Sequence, residues 1–318
     1  MKTPKKVNLA NIPTPLEIVK YQNKKFLMKR DDLTGCELSG NKVRKLEYII
    51  ADAIKNKADI IFTCGGEQSN HARATTIAAR KFGMPVKLFL WGSDRKIPSG
   101  NLFLNKMYGA EILYLNKNDY EKVNDIMQYQ REKLLRKNIN AYVIPEGGST
   151  ATGIFGYFNF IIELMKQIDF KKIKGIVTAS GTGGTSAGML AAISYLNLDL
   201  QVVAVNVLYS KEVITKKILA LAEALNLEYD LNTEIKSENL IVLDGYSEEG
   251  YKNISEDKIK LIRNFAAETG ILFDPAYTGK AFVAYQENYL SRNLGMKYIF
   301  VHTGGLFGVF GREKEYLI

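Results

Sequence analysis

The stretch KGIVTASGTGGTSAGMLAAISYLN, residues 174–197, decides the fold class. Its first seven residues form an apolar, β-branched run that is typical of a buried parallel strand. The loop GTGGT follows at 181–185, and the run after it has the period of a helix. The backbone N–H groups of such a loop and the positive end of the helix dipole bind anions. The stretch therefore predicts a strand–loop–helix unit with a phosphate site at the loop.

The rest of the chain repeats this alternation of short apolar strands and longer helices. Further strands are predicted at 59–64, 86–91, 111–115, 141–144, 201–207 and 297–303. Helices are predicted at 41–57, 69–83, 120–137, 153–167, 186–197 and 256–268, with others ending near 109 and 225 and one starting after 280. Strands alternating with helices indicate βαβ units. We therefore expect an α/β protein of two doubly wound, three-layer domains with mostly parallel sheets, and a site between them.

Length and composition exclude several classes of protein. The chain has 318 residues, of which 46% are hydrophobic and 24% charged, which suits about two globular domains. No apolar run reaches the roughly 18 residues of a membrane helix, and the first residues lack a signal peptide's apolar segment. We expect a cytoplasmic protein that does not bind membranes.

Charge and metal-ligating residues narrow the choice further. The net charge is +9, but the lysines are spread along the chain, whereas a nucleic-acid footprint is usually clustered. No nucleic-acid partner is expected. The two cysteines, Cys36 and Cys64, cannot form a disulfide framework, and with only two histidines no metal-ligand spacing is present. We expect no metal site.

The segment SGNKVRK, residues 39–45, places Lys42 in the first turn of a predicted helix. The positive end of the helix dipole disfavours the charged form of a lysine there, so the amine becomes a better nucleophile. The ordinary alternative is a solvated lysine.

Three other segments place polar side chains beside predicted strand ends or helix starts. CGGEQSNHAR contains Ser69 and Asn70, FDPAYTGKA contains Tyr277, and FVHTGGLFG contains Thr303. Each could be an ordinary cap or turn. Together with Lys42 and the phosphate loop, they suit a phosphorylated carbonyl cofactor bound covalently by a lysine. A nicotinamide cofactor is disfavoured, because Ser186 stands where the dinucleotide fingerprint has its last glycine.

The motifs PTPLE, KRDD, SGNKVRKLE, QSNH, SGTGGT, DPAYTGKA and HTGG follow one another between residues 13 and 305. In this order the chain resembles the pyridoxal-phosphate enzymes of the tryptophan-synthase-β fold type, called fold type II. Within them it is similar to the group of D-cysteine desulfhydrase and 1-aminocyclopropane-1-carboxylate deaminase. The resemblance implies a large cofactor-binding domain at 1–49 and 156–318, a smaller inserted domain at 50–155, and a homodimer.

The resemblance also implies a role for each matching residue. Lys42 would bind the cofactor covalently and move the proton of the substrate. Asn70 would meet the phenolic oxygen of the cofactor and Thr303 its pyridine nitrogen, while Ser69, Tyr277 and Tyr251 would face the substrate. The phosphate would be held by Gly181, Thr182, Gly183, Gly184 and Thr185, with Lys45 assisting. Because Thr303 is neutral, it would not keep the ring nitrogen protonated as a carboxylate would, which favours elimination of a good leaving group.

Two positions favour the desulfhydrase branch of the group. The deaminases carry Gln and Glu where this chain has His71 and Thr278, so the resemblance implies elimination from D-cysteine to pyruvate, ammonia and hydrogen sulfide. Glu67 departs from the small or apolar residue usual in the family. We favour a helix N-terminus role for it, with selection of a cationic substrate group as the alternative. The deaminase reaction, L-cysteine, cysteate, β-chloroalanine or a diamino acid as substrate, and a non-catalytic binding role stay open.

Overall fold

A computed structural model describes residues 1–250 and 253–316 of the chain. Within this part, ten strands form a six-stranded and a four-stranded sheet. The larger sheet contains β1 (Leu16–Tyr21), β2 (Lys24–Lys29), β7 (Gly175–Ser180), β8 (Gln201–Asn206), β9 (Leu240–Leu243) and β10 (Tyr298–Val301). The smaller sheet contains β3 (Ile60–Gly66), β4 (Val86–Trp91), β5 (Glu111–Leu115) and β6 (Ala141–Ile144). The α/β class with mostly parallel sheets is therefore confirmed.

The order of the strands shows how each sheet is wound. The larger sheet runs β1-β2-β10-β7-β8-β9, and only the hairpin of β1 and β2 is antiparallel. The smaller sheet runs β5-β4-β3-β6 and is parallel throughout. Every residue of β7 is buried, as its continuous apolar run predicts. The carboxyl ends of parallel strands in each sheet share one edge, which is where ligands bind in such folds.

The helices follow the strands as the periodicity predicts, with small shifts at their ends. They are α1 (Lys42–Lys55), α2 (Asn70–Lys81), α3 (Gly100–Met107), α4 (Lys117–Tyr120), α5 (Val123–Leu135), α6 (Ala151–Met165), α7 (Gly184–Tyr195), α8 (Lys211–Glu228), α9 (Glu256–Thr269), α10 (Thr278–Tyr285), α11 (Leu306–Val309) and α12 (Glu313–Tyr316). Three helices begin earlier than predicted, α6 at Ala151, α7 inside the glycine loop and α10 directly after Tyr277. The helix predicted at 120–137 forms two, α4 and α5. None of the helices in the described ranges is long and apolar enough to cross a membrane.

Sequence patterning did not identify the β1–β2 hairpin or β9. The hairpin turns at Gln22 and Asn23, whose φ angles are 47° and 60°, as a two-residue turn with positive φ requires. Strand β9 has four half-buried residues at the edge of the sheet. Lysine-rich or short edge strands carry a weak period-2 signal, because only part of each strand is buried.

Helix α1 lies at the boundary between the two sheets. Its apolar residues Val43, Leu46 and Ile50 join the core that also contains the smaller sheet. On its other side it approaches α6 closely, since a Cβ at Gly156 would lie 2.2 Å from the Arg44 carbonyl oxygen. We propose the domain division 1–49 with 156–318 and 50–155. The strand membership of the two sheets supports it.

Behind α1, buried charged side chains form a group that we call the ionic cluster: Lys29, Asp31, Arg44 and Glu163. Arg44 binds both carboxylates, at 2.8–2.9 Å. Lys29 Nζ lies 2.6 Å from Glu163. Tyr157 donates to Asp31 at 2.6 Å. The KRDD motif thus fixes α1 against α6 and the end of β2, because each buried charge has an opposite charge beside it.

Candidate active site

A cavity of about 310 Å³ lies where the carboxyl edges of the two sheets face each other. Eleven of the twelve residues predicted from the sequence line it: Lys42, Lys45, Ser69, Asn70, Gly181, Thr182, Gly183, Gly184, Thr185, Tyr277 and Thr303. The twelfth, Tyr251, lies outside the described residues. Segments separated by more than 250 residues of chain therefore meet at one site.

Lys42 is the first residue of α1, as the sequence predicts. Burial lowers the pKa of its amine to about 8, and the carboxylate of Glu146 opposes this shift. Within the described part of the chain, no hydrogen bond to the Lys42 amine is present. An amine with a lowered pKa and no fixed partner is available as a nucleophile near neutral pH.

Lys45 lies one turn further along α1 and is almost fully buried, with 1% exposure. Its amine donates to the Gly147 carbonyl oxygen at 3.1 Å and to Ser149 Oγ at 3.3 Å. Burial and then the nearby Lys42 hold the pKa of Lys45 well below its ordinary value. Because both hydrogen-bond partners are neutral, an anion beside Lys45 would stabilise its charged form.

The glycine loop leads directly into the start of α7. Gly183 is the N-cap with φ 85°, and no side chain in the described ranges caps the helix there. The first N–H groups of a helix have no intrahelical acceptor, and here these residues line the cavity. A Cβ at Gly184 would lie 2.6 Å from Lys45 Nζ. Glycine at this position therefore allows a lysine amine to reach the helix N-terminus. N–H groups, a helix dipole and a buried amine together fit a phosphate group.

Ser69 and Asn70 lie at the start of α2 and also line the cavity, so a capping role and a ligand-binding role are compatible. Ser69 Oγ accepts from the Ala72 N–H at 3.1 Å as the N-cap of α2, and its own hydroxyl proton remains available. Asn101 Nδ2 donates to the Gln68 carbonyl oxygen and to Asn70 Oδ1, both at 2.9 Å. Asn70 therefore turns its NH₂ donor toward other partners in the cavity, as recognition of a phenolate requires.

His71 is buried and also lines the cavity. Thr63 donates its hydroxyl proton to the Ile144 carbonyl oxygen at 2.9 Å, so it accepts from His71 Nε2 at 2.8 Å. Burial, followed by the charges of Lys42 and Lys45, lowers the pKa of His71 well below its ordinary value. The ring is thus neutral, with its proton on Nε2 and its Nδ1 unprotonated.

The segment after Phe273 forms the opposite wall. Asp274 accepts hydrogen bonds from three backbone N–H groups, those of Ala276, Tyr277 and Thr278, and so fixes the start of α10. The Tyr277 ring lies near Gly181, where a Cβ would be 3.1 Å from it. Thr278 Oγ1 donates to the Gly304 carbonyl oxygen at 2.9 Å and lies 3.2 Å from Thr303 Oγ1. Thr303 therefore presents a neutral hydroxyl to the cavity.

Glu67 does not line this cavity. Its carboxylate accepts from the Ser93 N–H at 2.9 Å and pairs with Arg95 at 2.7 Å. These partners follow β4, so Glu67 makes its contacts there, and its stabilisation of the N-terminus of α2 stays a prediction. Glu67 and Arg95 line a neighbouring cavity of about 250 Å³.

Further lining residues were not identified from the sequence, among them Asn41, Trp91, Lys117, Tyr120, Glu121, Glu146 and Tyr209. Asn41 donates to Thr185 Oγ1 at 3.0 Å and links α1 to the glycine loop. Trp91 ends β4 and Glu146 follows β6. The rule that ligands bind at carboxyl strand ends could have found these two, but it could not select Tyr120 inside a polar surface helix.

Comparison with known proteins agrees with this site. A family model described as pyridoxal-phosphate dependent enzyme matches residues 7–304. A Thermotoga maritima protein with the provisional name 1-aminocyclopropane-1-carboxylate deaminase is 38% identical, over 98% of this chain and 99% of its own. The D-cysteine desulfhydrase of Klebsiella pneumoniae is 30% identical, over 96% and 95%. The crystal structure of an ACC deaminase homologue superposes with a TM-score of 0.90 at 34% identity, covering 99% of this chain and 96% of that one.

The resemblance, the fold type and the cofactor expected from the sequence are confirmed by these matches. The lysine pair, the uncapped glycine loop and the donor side of Asn70 fit pyridoxal 5'-phosphate as well. The chain belongs to the pyridoxal-phosphate dependent enzymes, in the group that contains 1-aminocyclopropane-1-carboxylate deaminase and D-cysteine desulfhydrase.

Proposed function

We propose that this protein is a lyase that catalyses α,β-elimination on a small amino acid, with D-cysteine as the substrate and pyruvate, ammonia and hydrogen sulfide as products. The observation that carries the proposal is the Lys42 amine. It faces the same cavity as an uncapped helix N-terminus, and its pKa is lowered to about 8. A base at the site of covalent bonding can also move the Cα proton of the substrate.

The cofactor supplies an electron sink for the bond electrons released at Cα. When the cofactor is bound, Lys42 would hold it covalently, and the N–H groups of 181–185 with Lys45 would hold its phosphate. Asn70 would serve as the donor for its phenolic oxygen, and Thr303 would meet its pyridine nitrogen. These roles agree with the free donors and the neutral hydroxyl at those positions.

On the substrate side, Ser69 donates its remaining proton to the carboxylate of the amino acid. Tyr277 forms part of this wall, and the resemblance implies that Tyr251 also faces the substrate. Cα–H cleavage by Lys42 is followed by departure of the thiolate from Cβ, and the enamine that is released hydrolyses to pyruvate. A neutral Thr303 keeps the electron sink weak, which favours rapid loss of a leaving group over reprotonation.

Deamination of 1-aminocyclopropane-1-carboxylate is the second candidate. The higher identity to the Thermotoga relative than to the Klebsiella desulfhydrase favours it. His71 and Thr278 favour the elimination, because the deaminases carry Gln and Glu there. His71 has a neutral ring whose Nε2 proton is bound by Thr63, so it does not act as the Gln of the deaminases would. Thr278 donates to the Gly304 carbonyl oxygen and has no carboxylate, so it does not replace the Glu.

The test is product release by the cofactor-loaded protein given D-cysteine, L-cysteine or 1-aminocyclopropane-1-carboxylate in parallel, with Lys42→Ala as the control. Pyruvate from D-cysteine that depends on Lys42 supports the proposal. 2-Oxobutyrate from the cyclopropane substrate, without pyruvate from either cysteine, identifies the deaminase instead. A bound cofactor with neither product overturns both candidates.

We further propose that the protein is a cytoplasmic homodimer, which the family resemblance supports. Light scattering of the cofactor-loaded protein measures the mass directly, and a value of one chain would contradict the dimer.

A further inference from the structure

We propose that Glu146 forms a cation-binding subsite for the substrate side chain, so that the enzyme also acts on a diamino acid such as 2,3-diaminopropionate. This inference rests on the proposed lyase function, and it adds a second substrate class to the same cavity. Among the other carboxylates, Glu67 is paired with Arg95 and lies outside the cavity. Asp274 lines the cavity but accepts hydrogen bonds from three backbone N–H groups, and Glu121 lines it but is exposed.

Glu146 and the residue expected to hold the substrate carboxylate, Ser69, follow neighbouring strands of the smaller sheet. Strands β3 and β6 are neighbours in the smaller sheet, with Thr63 opposite Ile144. Ser69 follows β3, Glu146 follows β6, and both line the cavity. Substrate-binding side chains at adjacent strand ends face the same ligand in parallel sheets.

Hydrogen bonds, rather than an ion pair with any described residue, hold the side chain of Glu146. Tyr120 donates to it at 2.9 Å. Burial and, next, this carboxylate raise the pKa of Tyr209 to about 12, so a second tyrosine lies close by. No ion pair in the described ranges involves Glu146. Its charge raises the pKa of Lys42, whose amine must lose its proton before it bonds to a carbonyl carbon. Lys117 also lines the cavity, without an ion pair to Glu146 in the described ranges.

The wall around Glu146 suits an ammonium group in a second respect. Three aromatic side chains, Trp91, Tyr120 and Tyr209, line the cavity with it, and aromatic faces attract cations. A carboxylate gains nothing from a thiol and repels the sulfonate of cysteate. A protonated β-amine gains an ion pair in a partly desolvated site, where such pairs are stronger than in water.

The chemistry of elimination benefits from the same contact. Lys42 removes the Cα proton, the Cβ–N bond breaks, and its electron pair leaves on the nitrogen. The amine leaves as neutral ammonia only if it is protonated when the bond breaks, and the carboxylate stabilises that protonated form. One water hydrolyses the enamine released, so each diaminopropionate gives one pyruvate and two ammonia.

The first experiment compares kcat and KM for 2,3-diaminopropionate and cysteine, each as both enantiomers, in the cofactor-loaded wild type and in Glu146→Gln. We expect Glu146→Gln to raise the KM for diaminopropionate at least about tenfold, as loss of a charged partner does, and to change the KM for cysteine less than about threefold. Glu146→Asp retains the charge and should keep the preference. Glu132→Gln removes an exposed carboxylate on α5 and is the charge-matched control.

The second experiment measures binding without turnover. The melting temperature of the cofactor-loaded protein is recorded with 2,4-diaminobutyrate or with 2-aminopentanoate, which has the same number of side-chain atoms and no charge. We expect a larger rise with the cationic ligand in the wild type, and equal rises in Glu146→Gln.

The two experiments separate failure of the subsite from failure of the proposed function. Turnover of cysteine with no preference for either cationic compound overturns the subsite and leaves the lyase standing. Equal changes in the KM of both substrates in Glu146→Gln overturn it too. A thermal preference for diaminobutyrate that Glu146→Gln abolishes supports the subsite even if cysteine is not a substrate.

Discussion

The ionic cluster behind α1 and the cavity in front of it both contain buried lysine side chains. The two regions differ in the acceptors that they offer to the lysine amines. In the cluster, Lys29 Nζ has three oxygen acceptors, on Thr14, Glu163 and Gln167, at 2.5–2.7 Å. In the cavity, Lys45 has two neutral acceptors at 3.1 and 3.3 Å. No acceptor for the Lys42 amine lies within the part of the chain that the structure describes.

The contrast distinguishes Lys29, which has a structural role, from Lys42 and Lys45, which face the cavity. Burial lowers the pKa of all three, but Glu163 and Asp31 partly restore that of Lys29. A carboxylate compensates the buried charge of Lys29 within the protein itself. In the cavity the hydrogen-bond partners of Lys45 are neutral, and the phosphate of a bound cofactor would supply the compensation.

The largest expected effect comes from Lys42→Ala, which removes the reactive amine from the cavity. We expect kcat/KM of the elimination to fall at least about 10³-fold, since the nucleophile and the base are lost together. Cofactor bound by the variant should be released on denaturation even after borohydride treatment, whereas the wild type should retain it on a peptide that contains Lys42. Retention of labelled cofactor on Lys45 instead would reverse the contrast.

Glu163→Gln tests the structural side. Removing one partner of a buried ion pair should lower the free energy of unfolding by about 3–5 kcal/mol, measured by urea denaturation of the cofactor-free protein. Asp94→Asn at the exposed Asp94–Lys106 pair should lower the free energy of unfolding only slightly, because solvent screens such a pair. A loss as small as this in Glu163→Gln would show that the cluster is not compensating Lys29 and Arg44.

The lowered pKa of Glu163 predicts how the free energy of unfolding depends on pH. Arg44 and Lys29 outweigh the effect of burial and lower the pKa of Glu163 to about 2. A carboxyl whose pKa is lower in the folded state stabilises the protein above its unfolded pKa, near 4.5, and this contribution is lost as pH falls toward 2. Unfolding free energies between pH 5 and 2.5 should therefore fall more steeply in the wild type than in Glu163→Gln.

Lys45→Ala should act on cofactor affinity rather than on chemistry. Loss of one charged hydrogen bond to the phosphate should raise the Kd of the cofactor about 10- to 100-fold, measured by equilibrium dialysis. At saturating cofactor, kcat should stay within about threefold of the wild type. A large fall in kcat at saturation would mean that Lys45 shares the role of Lys42.

Much of the cavity could be predicted from the sequence. Lys42 at a helix start and the loop at 181–185 each carry a local signal, because helix N-termini and glycine loops bind anions wherever they occur. The seven predicted strands were confirmed, since continuous apolar runs indicate buried parallel strands. Strand ends then bring the polar residues to one edge.

The ionic cluster and Glu146 could not be predicted in this way. Asp31 and Glu163 are 132 residues apart, and nothing local indicates that Arg44 binds both. Glu146 stands in a glycine-rich turn, where an acidic residue is ordinary. Its chemical setting depends on Tyr120 and Tyr209, which come from different parts of the chain. Long-range pairing of this kind leaves no periodicity in the sequence.

The smallest expected effect concerns the pH at which the cavity lysine becomes reactive. The rate of covalent cofactor incorporation into the stripped protein should rise with pH and level off above about 8, because the neutral amine of Lys42 then predominates. Glu146 raises this pKa, so Glu146→Gln should move the midpoint to lower pH, while Glu132→Gln should not. Visible absorbance of the bound cofactor follows the reaction. A rate that still rises tenfold per pH unit above pH 9 would contradict this prediction. It would mean that the pKa of Lys42 is not lowered and equals that of a solvated lysine on the protein surface.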